Sequence, residues 1–142
     1  RVMSSIELYW DNDEQTVMLC TFAKGWTWAE MFETLDTINK VTAQRDYTIG
    51  AIVDVSRGIS IPAGSVFSAD TREKAKKMLA MGSDSKGPIA VVGAGGMLKA
   101  VARGFEMLDR NVLNDVYFVD TLNAARRVLS KHLQPIPAEE TA

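Results

Sequence analysis

Residues 47–56 read Tyr-Thr-Ile-Gly-Ala-Ile-Val-Asp-Val-Ser, an apolar run that closes on one acid, Asp54. Its length and β-branched content are those of a buried strand. Two shorter runs of the same kind follow, at 89–93 and 116–119, and segments of helical period lie between them. Alternating units of this sort imply a mainly parallel sheet with right-handed crossovers. Two strands precede them, which gives the order β-β-α-β-α-β-α-β-α. In such a sheet, ligands and partners collect at the carboxyl ends of the strands. The loop after Asp54 is therefore the first place to look for function.

The opening pair is a hairpin. Ile6-Glu-Leu-Tyr-Trp10 alternates as a strand, and 16–22 forms the second strand. Between them, 11–15 (Asp-Asn-Asp-Glu-Gln) is a turn whose acids and amide favour side-chain to backbone bonds. The first strand should pair antiparallel with the second, at or near the sheet edge.

Gly25-Trp-Thr-Trp-Ala-Glu-Met31 is the sharpest local signal. Thr27 and Glu30 have the spacing of a capping box, and Trp26 and Met31 that of a hydrophobic staple. A helix should run from here to about Ala43, with Phe32, Leu35 and Ile38 at helical spacing. The staple accounts for Trp26. Trp28, at the first helical position, either covers the sheet or lies at the surface. The two rings also offer a stacking surface for a ligand.

Asp54 has two readings, a solvated or capping strand end and a recognition residue in the strand-end cleft. Pro62 suits a helix start, so 62–65 (Pro-Ala-Gly-Ser) should open a helix reaching about Met81. Arg72, Lys74, Lys76 and Lys77 on it form either the solvated face of a surface helix or a patch for an anionic partner. Residues 82–88 make a loop by composition. A third helix is expected over 97–108 and a fourth, capped by Asp120 or Thr121, reaches Leu133. Residues 134–142, with Pro135 and Pro137 and no apolar face, read as a flexible tail after a single domain spanning 1–133.

Composition removes several function classes. Net charge is −2 and the pI is about 5.4, so no global basic field gathers nucleic acid. With one cysteine, Cys20, and one histidine, His132, a His/Cys zinc cluster is excluded. Cys20 lies in an apolar strand and reads as a buried small hydrophobe. A lone cysteine fits a reducing compartment, and no run is long enough to span a membrane, so the expected location is cytoplasmic. Neither a cofactor nor a metal is expected. The chain begins at Arg1 rather than Met, which fits either a non-native start or a missing leader.

One motif invites a wrong turn. Val91-Val-Gly-Ala-Gly-Gly-Met-Leu98 follows a strand and precedes a helix, as a dinucleotide fingerprint does. Counting from Gly93, the pattern finds Gly95 and then Leu98, so the third glycine is missing. The motif also has only one strand after it. A Gly-rich turn is the simpler reading, with amides before a helix that suit an anion. No Ser/His/Asp or Cys/His set is supported, and no constellation points to an enzyme.

With this order laid out, the chain resembles the STAS domain, and more closely the group of SpoIIAA-like or STAS-like proteins. The likeness runs from Ile6 to Leu133. It rests on the opening hairpin, on Gly25-Trp-Thr-Trp-Ala-Glu30, on Ala51-Ile-Val-Asp-Val-Ser56, and on Phe118-Val-Asp-Thr-Leu-Asn-Ala-Ala125. It implies an α/β fold with a five-stranded, mainly parallel sheet, an antiparallel N-terminal strand, and four main helices mostly on one face. Part of the other face would stay accessible. It also implies a non-enzymatic, bacterial regulatory domain that contacts a protein partner, such as a kinase or an anti-sigma-like factor, through residues 54–67. Asp54 and Ser56 match the family's strand end. Regulatory members then carry an Asp-Ser/Thr-Ser-Gly stretch with a phosphorylated serine. Here that stretch reads Ile61-Pro-Ala-Gly-Ser65, so the acid and the hydroxyl pair are replaced.

The site residues expected on these grounds are Asp54, Ser56, Arg57, Ser65 and Phe67, with Trp26 and Trp28. Ser65 and Ser56 are the candidate phosphoacceptors; otherwise they are ordinary loop and cap residues. The other expectation is a small-molecule or lipid-binding module in which Trp26, Trp28, Phe67 and the methionines line an apolar pocket. An exposed sheet face or edge would also allow a homodimer.

Overall fold

The computed structural model describes residues 5–23, 25–56, 69–83, 87–96, 99, 103 and 115–133. Five strands and three helices lie within them. In chain order they are β1 (Ile6–Trp10), β2 (Val17–Phe22), α1 (Trp28–Ala43), β3 (Gly50–Asp54), α2 (Ala69–Ser83), β4 (Ile89–Val92), β5 (Val116–Val119) and α3 (Leu122–His132). The strands form one sheet in the order β1-β2-β3-β4-β5. β1 is antiparallel to β2, and all later pairs are parallel.

The hairpin turn is built by one amide. Asn12 Oδ1 accepts from the backbone N–H of Thr16 (3.0 Å) and of Val17 (3.3 Å), and Asn12 Nδ2 donates to Thr16 Oγ1 (2.6 Å). This bonding lets Gln15 take a left-handed backbone with φ 60°. The register that follows sets Ile6 opposite Phe22 and Trp10 opposite Met18.

Side chains alternate across the sheet, so β2, β3 and β4 each feed two cores. On the first face, Ile6, Cys20, Phe22 and Val55 pack with Trp26, Trp28 and Met31. On the second face, Val17, Leu19, Ile52, Ala90 and Val92 pack with Ala125 and Leu129.

α1 covers the first face, and it starts where the sequence says. Glu30 N donates to Thr27 Oγ1 (3.1 Å), while Thr27 N donates to Glu30 Oε1 (2.9 Å), a closed capping box. Trp26 and Met31, on either side of it, share one cluster. The second oxygen of Glu30 accepts from Ser5 N (2.9 Å), which ties the start of β1 to the start of α1. α2 lies beside α1. Asn39 Nδ2 donates to the Met81 carbonyl (3.1 Å), and Lys77 Nζ sits 4.4 Å from the centre of the Phe32 ring.

α3 lies on the opposite face. It follows β5, the last of the described strands, and folds back over the apolar face of β3 and β4. Thr121 caps it, accepting from Ala124 N (3.0 Å). The expectation is of helices mostly on one face, and among the three described helices two share a face while the third covers the other. Accessible surface on that second face remains at β1, where Tyr9 is 48% exposed. The expected helix start at 62–65 and the tail 134–142 fall outside the described residues. So does most of the helix expected over 97–108, although Gly96, Lys99 and Arg103 are helical positions.

Candidate functional site

The strand order decides what kind of cleft the carboxyl edge can offer. Doubly wound folds bind nucleotides where the strand order reverses and successive crossovers leave for opposite faces. Here the order never reverses, and α1 and α2 share one face. Among the described residues, no crevice of that kind opens between β2, β3 and β4.

What stands at this edge instead is a tight turn. β3 ends at Asp54, which is half-buried. Its Oδ1 accepts from Ser56 N (2.9 Å) and from Ser56 Oγ (2.6 Å), so an aspartate-led turn holds the exposed serine hydroxyl in place. Val55 between them is buried in the first-face core, and its N–H donates to the Val92 carbonyl (3.0 Å). One strand over, β4 ends at Gly93, whose N–H donates to the Val119 carbonyl (3.1 Å).

Gly93 backs directly onto Ser56. Its φ is +78°, and a Cβ there would lie 2.6 Å from both Cα and Cβ of Ser56. Any side chain at this position must displace the serine turn. The first glycine of the apparent fingerprint therefore serves a close approach of two chain segments. That is the work of a packing glycine, not of a phosphate cradle.

The remaining expected site residues divide. Arg57, Ser65 and Phe67 lie outside the described residues. Trp26 and Trp28 are core residues, exposed by only 3% and 8%. Trp26 packs edge-on against Phe22 (5.5 Å between ring centres) and Trp28 (5.2 Å), and Trp28 stacks on Phe32 (6.1 Å). Neither ring is available at the surface, so the structure does not bring the tryptophans together with Asp54 and Ser56 as one contact surface. The covering role weighed for Trp28 is the one it has.

The opposite, amino edge holds a feature with no local signal in the sequence. Arg126 of α3 grips Asp11 of the hairpin turn with two bonds, Nε to Oδ2 (2.9 Å) and Nη2 to Oδ1 (2.8 Å). The Asp11 side chain is only 8% exposed, and its hydrogen bond holds the Arg126 guanidinium above its ordinary pKa. Beside the pair is a hollow of about 500 Å³ lined by Asp11, Asn12, Thr16, Val17, Arg126, Ser130 and Leu133. The two partners are 115 positions apart in the chain, so only the fold brings them together.

The nucleophile inventory is short. Cys20 is buried, and burial pushes its thiol up to about 12, which keeps it protonated and inert at neutral pH. His132 stacks on Tyr117 (4.6 Å between ring centres) on the α3 side of the sheet, whereas Cys20 belongs to the first-face core. Among the described residues, no group of three or more His, Cys, Asp or Glu is placed to hold a metal ion, and no helix is long and apolar enough to cross a membrane. Comparison with known proteins adds no identity to this geometry: no protein-family model matches the chain, and no curated protein matches it.

Proposed function

We propose that this chain is a non-enzymatic regulatory module of the STAS-like kind. It binds a protein partner, a kinase or an anti-sigma-like factor, in the bacterial cytoplasm. The contact surface is the carboxyl edge, residues 54–67. The observation that carries this reading is the Asp54–Ser56 turn braced by Gly93: an exposed hydroxyl held in fixed geometry at a strand end. Fixed polar groups on a rigid scaffold lower the ordering cost of binding. A phosphate on Ser56 would set two negative groups against each other and undo the turn, which makes the surface switchable. Ser65 is the second candidate acceptor, and Arg57 and Phe67 are the contacts expected beyond it.

The test compares partner capture from the host by four versions of the full chain: wild type, Asp54→Ala, Arg57→Glu, and Lys40→Glu as a control on the exposed face of α1. A partner kept by wild type and control but lost by both loop variants, at unchanged melting temperature, supports the reading. The same partners in the same amounts from all four overturn it. Mass spectrometry of the chain from its host would place any phosphate on Ser56 or Ser65.

A second reading, a small-molecule module, draws on the hollow at the amino edge. Its Arg126 donors are oriented by Asp11 above the apolar Val17 and Leu133. A small molecule retained in native mass spectrometry and lost in a Ser130→Val chain would favour it over the first.

A further inference from the structure

We propose that β1 is a self-pairing edge, through which two copies of this chain join antiparallel to make one continuous sheet, with Tyr9 of each copy on the two-fold axis. The proposal is independent of the carboxyl-edge reading, since it uses the outer side of the edge strand rather than the strand ends.

The hydrogen-bond register points to it. Asp11 N donates to the Val17 carbonyl (2.8 Å), and Ala23 N donates to the Ser5 carbonyl (2.8 Å). In an antiparallel ladder these bonds alternate, so the odd-numbered residues of β1 face β2. The N–H and C=O of Leu8 and Trp10 then point away from the sheet. No partner for them is found among the described residues. A strand edge in this state is a template for another strand.

The strand complements itself in one register. With Tyr9 facing the partner's Tyr9 on the axis, Leu8 falls opposite the partner's Trp10 and Trp10 opposite the partner's Leu8. Both are hydrogen-bonded pairs, so all the outward groups of Leu8 and Trp10 are satisfied at once. Side chains then match by face. On the α1 side Leu8, which packs on the first-face core, meets the partner's Trp10, whose ring carries the Arg45 guanidinium at 5.3 Å. Tyr9, the one large apolar residue exposed among the described residues, is covered by its own copy. Glu7 falls opposite the partner's Asp11, an acid that Arg126 already neutralises within each chain.

Several of the usual guards of an edge are missing among the described residues. Ile6-Glu-Leu-Tyr-Trp10 contains no lysine and no proline, and the β1–β2 register runs without a bulge. The contact is narrow, so association belongs to the weak class, with a Kd on the order of 100 µM.

Sedimentation of the full chain from about 10 µM to about 1 mM tests this directly, since that span brackets such a Kd. The expected result is a monomer that becomes a dimer as concentration rises. Tyr9→Lys, which sets two like charges on the axis at an exposed position, should shift the midpoint at least tenfold at an unchanged melting temperature. Leu8→Pro, which removes an outward amide at an edge where proline is tolerated, should shift the midpoint as far, with a lower melting temperature because Leu8 packs on the first-face core. Hydrogen exchange at Leu8 and Trp10 should slow with concentration, whatever the fate of the proline variant. A monomer throughout the range, a dimer indifferent to Tyr9→Lys, or exchange independent of concentration would each overturn the proposal.

Discussion

The two faces of the sheet are held by different chemistry. The α1 face is aromatic and oriented: Phe22, Trp26, Trp28 and Phe32 meet at defined angles, anchored by the Thr27–Glu30 box. The α3 face is aliphatic and dense: Leu19, Ile52, Ala90 and Val92 take Ala125 and Leu129 with almost no exposed surface. The first is specified by neighbours in the chain. The second is specified by sheet register, which puts residues from three strands under one helix. A local code and a register code therefore coexist in one domain, and they should fail differently.

The largest separation comes from truncating one anchor on each face. Trp26→Ala should cost about 3–5 kcal/mol, measured by urea unfolding, because it removes the ring on which Phe22 and Trp28 both rest. Trp26→Phe should cost far less. The indole N–H is buried and finds no hydrogen-bond partner among the described residues, so its removal relieves a penalty of about 1–3 kcal/mol while much of the ring is kept. Leu129→Ala should cost about 2–5 kcal/mol, toward the upper part of that range if the neighbouring strands hold the cavity open.

A smaller effect distinguishes the faces by pH. The Cys20 thiol on the aromatic face is raised by burial from 9.0 to about 12, so the folded chain favours the protonated form. Its stabilising contribution is complete below about pH 9 and is lost progressively as pH rises toward about 12. At pH 10 the wild type should have lost about 1.4 kcal/mol relative to neutral pH, beyond the loss seen in Cys20→Ala. Equal alkaline losses in the two chains would mean that water reaches the thiol.

The smallest expected effect is at the cap. Thr27→Ala should cost about 1 kcal/mol and, by hydrogen exchange, loosen the first turn of α1 while leaving α3 untouched. Loosening of both helices together would show that the two faces are not separately coded.

The same contrast explains what could be read from the chain. The capping box, the staple and the end of α1 near Ala43 are legible because their causes lie within a few residues. The run ending in Asp54 is legible as a strand, since its β-branched residues need burial on both sides. The contact of Gly93 with Ser56 is not, because it depends on how β3 and β4 align. The Asp11–Arg126 pair gives no signal either: each residue alone looks like an ordinary surface charge. The tryptophans invited a ligand reading because sequence shows a ring but not which way it faces.

The unbroken strand order has a consequence for the way the chain acquires its shape. Each strand joins the one laid down before it, so the sheet can grow from β1 toward β5 without waiting for a distant segment. During synthesis the hairpin, α1 and β3 are available early. Among the described elements only α3 covers the aliphatic face, so that cover arrives late in synthesis, and the bond between Asp11 and Arg126 then joins the hairpin turn to α3. A chain that stopped just before α3 would lack the apolar surface that Ala125 and Leu129 lay over Ile52, Ala90 and Val92, so the interval before that helix docks is one in which the sheet is open to aggregation.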